Sequence, residues 1–310
     1  MRRQFPILPA AALGLLLSSC SVQHFVVNKA GDALSGDSSS VARDDDPEFI
    51  RAAAPFSLKL IESLLAKSPQ HQGMLLAAAS GFTQYSYAFI QLDADQVEDH
   101  DFDRSQQLRA RAKRMYLRAR DYGLRGLEVR HGGMTAALRR DPVAALVSAD
   151  AADAGFLYWT GVSWAAAISQ GKDDPQLVGD LAIVDALAAR ADALAPDFGH
   201  GSLQSFLITY EMARAARPEV ARAHFTRALA ASDGRAAGPY VALAESVCVP
   251  QRSRAEFAAM LDAALAIDAD KYPDQRLENL IMQSRARWLK SRIDELFLPE
   301  APPPAEGNPP

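Results

Sequence analysis

Cysteine is nearly missing from this chain: 310 residues hold two, Cys20 and Cys248. No disulfide framework can be built from them, and a cysteine-based metal centre is excluded. Alternating Val, Ile and Thr runs of the kind that mark strands are scarce, while Ala, Leu and Arg dominate, so the composition points to an all-α fold. Excess basic charge is lacking too. Lys and Arg total 33 against 38 Asp and Glu, a net charge of −5, which argues against general nucleic-acid binding. The apolar run Ile7 to Leu17 is too short to cross a hydrocarbon layer of ~30 Å as a mature helix.

That run stands instead in the setting of an export signal. Arg2 and Arg3 precede it, and Ser18 and Ser19 lead directly into Cys20, the order of positive, apolar and small residues that a signal peptide requires. Small residues before a cysteine are what a bacterial lipoprotein signal peptidase accepts. Residues 1–19 are read as the signal and Cys20 as the lipid-bearing first residue of a periplasm-facing protein. Ser21, where an Asp would retain the protein at the inner membrane under enterobacterial sorting rules, favours the outer membrane. With Cys20 acylated, Cys248 has no intrachain partner. It lies in the apolar segment Tyr240 to Val249 and is most simply a small buried hydrophobe.

The organisation that follows is a tether over 20–46, a helical body over 47–298, and a proline-rich tail over 299–310 expected to be disordered. Asp46-Pro47-Glu48 supplies an N-cap, an N1 proline and an early acid, the opening a helix demands. Inside the body, helix-sized segments alternate with short breakers, and small residues recur where two helices would cross. Phe56 to Lys67, closed by Pro69, reads as the second helix of a first pair. Ala112, Tyr116 and Ala119 give a small–aromatic–small series, as do Ala221, Phe225 and Ala228. Leu157, Gly161 and Trp164 open another pair. This is the logic of tetratricopeptide units of about 34 residues, in which alanine and glycine let backbones approach and aromatics fill the grooves. The expected architecture is therefore all-α, tetratricopeptide-like stacked helical hairpins forming an αα superhelix, with an irregular helical bundle as the alternative.

Few segments carry chemistry. The stretch Asp93 to Asp103 is rich in carboxylates but lacks the sixth-position glycine and terminal glutamate spacing of a calcium loop, so no metal is assigned; it reads as an acidic loop facing the basic helix after it. On that helix Arg109, Lys113 and Arg120 are candidates for meeting an anionic ligand or partner. Gly161-Val162-Ser163-Trp164-Ala165 imitates a nucleophile elbow and His131-Gly132-Gly133 an oxyanion loop, but an elbow needs a strand leading into a helix, and Phe156 to Ile168 reads as continuous helix. No catalytic residue and no cofactor are assigned. The aromatics are more telling. Tyr85 and Tyr87, two apart, cannot face the same neighbour. Gln84, Tyr85, Tyr87, Tyr158, Trp159 and Trp164 are candidates for lining a cavity, with core packing as their other use.

Several of these stretches carry a family likeness. Cys20-Ser21-Val22, Val27-Asn28-Lys29 and Gly31-Asp32-Ala33-Leu34 begin it. Asp44-Asp45-Asp46-Pro47-Glu48 and Ala77 to Tyr85 continue it. Ala119-Arg120-Asp121-Tyr122-Gly123-Leu124-Arg125-Gly126-Leu127-Glu128 carries it most strongly, and Tyr158-Trp159 with Gly161 completes it. Together they make the chain resemble the T-component (TatT) family of tripartite ATP-independent periplasmic (TRAP) transport systems. The resemblance implies a non-catalytic lipoprotein, accessory to a secondary transporter, that docks the periplasmic solute-binding protein and offers a small ligand a passage or holding site. The aromatic lining would favour an apolar or amphipathic ligand. Homo-oligomerisation is left open by the sequence. The competing reading is a structural envelope scaffold that binds no small molecule.

Overall fold

Asp46 caps the first long helix as its sequence predicts. Its carboxylate accepts the amide protons of Glu48 and Phe49, and Pro47 fills the first turn of α1 (Pro47–Leu65). The computed structural model describes residues 39–297. The signal segment, Cys20, most of the tether and the proline-rich tail lie outside the described residues. Among the described residues there is no strand, and the fold is all-α.

The expected first pair is a single helix. Pro55 stands inside α1 on its exposed side, where its ring meets no core packing, and the helix continues through it. After α1 come α2 (Gln72–Ser86), α3 (Phe102–Arg130), α4 (Ala154–Ser169) and α5 (Leu181–Leu194). They are followed by α6 (Ser202–Ala215), α7 (Pro218–Ala231), α8 (Gly238–Leu243), α9 (Arg254–Leu265) and α10 (Arg276–Ser291). The presumed acidic loop is largely helical as well. α2 runs through a π turn, Tyr87–Gln91, into a further helical stretch, Leu92–Val97, and Asp101 already caps α3. Leu92 and Ala94 are buried, so apolar packing holds this stretch helical despite its acids.

Packing follows chain order. α2 and α4 both lie against α3, α5 against α4, α7 and α8 against α6, and α9 against both α8 and α10. The α3–α4 crossing is the tightest. A Cβ on Gly126 would fall 2.0 Å from the Phe156 ring, and one on Gly123 2.1 Å from the Thr160 hydroxyl. One large core is built on α1 to α6 and a second on α8 to α10, and Tyr87 packs against both.

The last long helix closes the chain on its beginning. α10 contacts α1 and the short helix Ser39–Ala42. Arg43 pairs with Asp274 at 2.7 Å, and Arg292 beyond α10 pairs with Asp99 at 2.6 Å. This closure brings Met282 of α10 to the Tyr87 hydroxyl, just beyond α2, and the candidate site is built around that contact.

Candidate functional site

Two π turns face one arginine. An extra residue per turn leaves Leu92 donating its amide proton to the Tyr87 carbonyl, and Val249 donating to the Ala244 carbonyl at 3.2 Å. Such turns recur at functional positions because they re-aim side chains without ending the helix. The first presents Tyr87, the second Glu245. Arg285 of α10 lies between them, 7% exposed. Its Nη2 donates to Glu245 Oε1 at 2.6 Å and pairs with Asp95 at 3.0 Å, while its guanidinium stacks 4.2 Å from the Trp288 ring centre. Burial works against the Arg285 charge, but Glu245 and Asp95 outweigh it and hold the guanidinium pKa above its ordinary value. Burial raises the Asp95 carboxyl, against the pull of Arg285 and Arg109.

Beside this network Tyr87 meets α10. Tyr87 keeps some accessible surface, yet burial, followed by the charge of Glu245, pushes its phenol pKa up; its hydroxyl is 3.9 Å from the Met282 sulfur of α10. Glu278, one turn before Met282, is an exposed side chain whose carboxyl is nevertheless raised by burial, with the His200 charge opposing the rise. Glu278 stands close to α8, its Oε1 3.6 Å from where a Cβ on Gly238 would lie. Tyr87, in the π turn after α2, and Tyr158 of α4 both feel the Glu278 charge. Tyr158 continues into an aromatic cluster, its ring 4.7 Å from Trp159, 5.0 Å from Phe198 and 6.5 Å from Phe206. Phe206 then stacks on Tyr210 at 5.2 Å.

The expected lining residues divide. Tyr158, a core residue at 7% exposure, packs on Trp159, while Tyr87 lies apart from them against Met282. Tyr85 packs instead on Phe89 at 5.7 Å, and Gln84 is exposed. Trp164 is a core residue at 1% exposure, with the Arg120 guanidinium 5.0 Å from its ring centre. Among the expected anion-binding residues, Arg109 pairs with Asp95 and Glu98, Lys113 with Asp174, and Arg120 with Asp121. All three are engaged by carboxylates of the chain itself. The hydrolase-like fragments make no elbow, since Ser163 is buried within α4 and donates to the Thr160 carbonyl, and His131 faces Asp153 at 2.8 Å.

Two concavities lie on the surface. One of about 460 Å³ is lined by Asp185, Asp192, Tyr210, Arg214, His224 and Arg227, where the ions pair with each other across α5, α6 and α7. The other, about 370 Å³, lies along α3 and includes Glu62, Arg114, Leu117, Arg118, Tyr122 and Arg125.

Arg285, Glu245, Glu278, Phe198 and Phe206 were not singled out from sequence. A charged residue inside the apolar segment Tyr240 to Val249 was a visible signal for Glu245. The others carry none, because their partners are distant in the chain.

Glu278 makes a pH prediction. Its proton is held more tightly in the folded chain than at the ordinary value of 4.5, so folding is favoured below that pH and penalised once the carboxylate is charged. Glu278→Gln should therefore raise the melting temperature at pH 7 and leave it unchanged at pH 4. Equal melting temperatures at both pH values would place Glu278 in open solvent.

Comparison with known proteins covers nearly the whole described length of the chain. The family model described as TRAP transporter T-component matches residues 43–297. An uncharacterized protein of Treponema pallidum (strain Nichols) is 30% identical over 271 residues, covering 82% of this chain and 81% of the relative.

Proposed function

Since the chain belongs to the TRAP transporter T-component family, and so is an accessory of TRAP transport, we propose that it docks the periplasmic solute-binding component and holds or passes a small apolar or amphipathic ligand at the aromatic cluster around Tyr158. In this reading Cys20 carries the lipid that anchors the protein to the envelope, at the outer membrane, facing the periplasm. The observation that supports a ligand-handling role is the aromatic cluster of Tyr158, Trp159, Phe198 and Phe206, with Tyr87 against Met282 of α10 and the buried Arg285 network nearby. Sites of this kind combine apolar and aromatic walls with a few orienting polar groups. Tyr158, Trp159, Phe198 and Phe206 supply the wall. The tyrosine hydroxyls and Glu278 supply the polar groups.

Two measurements test this. The full-length chain in detergent should retain the solute-binding component of its own transport system on a column. It should also bind the neutral probe N-phenyl-1-naphthylamine saturably, at one site, with energy transfer from Trp159. Tyr158→Ala removes the centre of the aromatic cluster and should weaken the probe roughly tenfold, since each aromatic contact contributes about 0.5–1.5 kcal/mol. Unchanged probe affinity in Tyr158→Ala would remove the cluster from the account. No probe binding, together with no retained component, would favour a plain structural scaffold.

A further inference from the structure

The arginines of α3 divide into two sets on either side of its buried face. Arg109, Lys113 and Arg120 point to one side and are paired there. Arg104, Arg111, Arg114, Arg118 and Arg125 occupy the other. At 3.6 residues per turn these five fall within about 80° of each other and run for about 31 Å along the helix. Arg104, Arg111 and Arg114 are exposed, and none of their side chains bonds or pairs with another described residue. Arg118 is 44% exposed and meets Glu62 only at 3.6 Å. Arg125 donates to the Pro69 carbonyl at 3.0 Å and lies over the Tyr122 ring. A protein of net charge −5 in which most described arginines meet a carboxylate leaves Arg104, Arg111 and Arg114 of this row unanswered.

The row is also concave. The 370 Å³ groove between α1 and α3 is lined by Arg114, Arg118 and Arg125 with Leu117 and Tyr122, and by the chain's own Glu62 and Asp121, so the basic groups outnumber the acids three to two. Tyr122 is fixed by donating its hydroxyl to Glu62 at 2.8 Å. A planar guanidinium row beside Leu117 and Tyr122 fits carboxylates carried on a folded or extended segment, since arginine forks onto carboxylates and these two side chains accept their aliphatic stems. A lipid surface fits less well. Gln107 and Asp121 stand exposed between the arginines, where membrane binding would need apolar residues to insert.

We infer that the outer arginine row of α3, centred on Arg111 and Arg114, is the docking surface for an acidic face of the solute-binding component. The inference rests on the docking reading above and adds where docking occurs. Complementary charge of this kind acts mainly on association rate and salt dependence.

The test uses the full-length chain in detergent and the solute-binding component of its own system, with association followed at low and at high salt. The expected result is binding that weakens steeply with salt, and at least tenfold slower association for the triple variant Arg104→Glu, Arg111→Glu, Arg114→Glu. All three positions are exposed, so an unchanged melting temperature is expected and will show that folding is intact. Should the triple variant associate like the parent, the surface is refuted while docking stands. Should the parent itself fail to bind, both readings fall. Vesicles containing anionic phosphatidylglycerol provide the remaining arm: if the parent binds them, the variant does not, and the component's association is unaffected, the row belongs to lipid and the inference is overturned.

Discussion

Replacing Arg285 by methionine should cost about 3–5 kcal/mol of stability at neutral pH, the range typical of removing one partner from a buried charge network. Methionine fills much of the same volume, so the loss isolates the charge. Without the guanidinium, Glu245 loses its partner at 2.6 Å, and Asp95 keeps only Arg109 at 3.0 Å. Both carboxylates would then be partly buried with too little countercharge. The deficit should narrow at pH 4, because a protonated carboxyl needs no countercharge, and Asp95 is already raised by burial. Glu245→Gln in the same chain should recover part of it. Urea unfolding at the two pH values, on the single and double variants, checks all three statements. A loss below 1 kcal/mol at neutral pH would mean that water reaches the network and screens it.

Gly126→Leu should be nearly as damaging, at about 3 kcal/mol. Any side chain there must share space with the Phe156 ring, which is itself only 4% exposed and has nowhere to turn. The comparison that gives this prediction its edge is Gly161, the crossing residue that sequence alone brings forward. A Cβ on Gly161 would meet its nearest neighbour, Leu187, at 3.5 Å, an ordinary contact. Gly161→Ala should therefore be neutral, or stabilising by up to about 1 kcal/mol through helix propensity. In a double-mutant cycle, Phe156→Ala should relieve most of the added penalty in Gly126→Leu. If it relieved none, the strain would lie elsewhere.

Local rules were legible where the physics is local. The Asp46 cap, the continuous helix through Ser163 and the buried, inert Cys248 follow from caps, helical spacing and apolar neighbours. Burial raises the Cys248 thiol to about 12, which removes its reactivity at neutral pH. The same rules misplace the first hairpin, since a proline is read as a breaker unless one knows that its face is exposed. They also read Asp93 to Val97 as loop, because its charges outweigh the two buried residues, Leu92 and Ala94, that fasten it.

By itself, then, the sequence determined an all-α chain, its family, and the helices on which aromatic and basic residues ride, since composition, periodicity and matched segments are properties of neighbours along the chain. Only the tertiary structure decided which of those residues face one another. Tyr87 meets Met282 because α10 closes back toward the start of the chain. Arg109 and Lys113 are neutralised by Asp95, Glu98 and Asp174, while Arg104, Arg111 and Arg114 on the other side of α3 meet no carboxylate among the described residues. Pairing of this sort depends on distances across the fold, and a charge or ring carries no mark in its own stretch of chain of the partner that folding will bring to it.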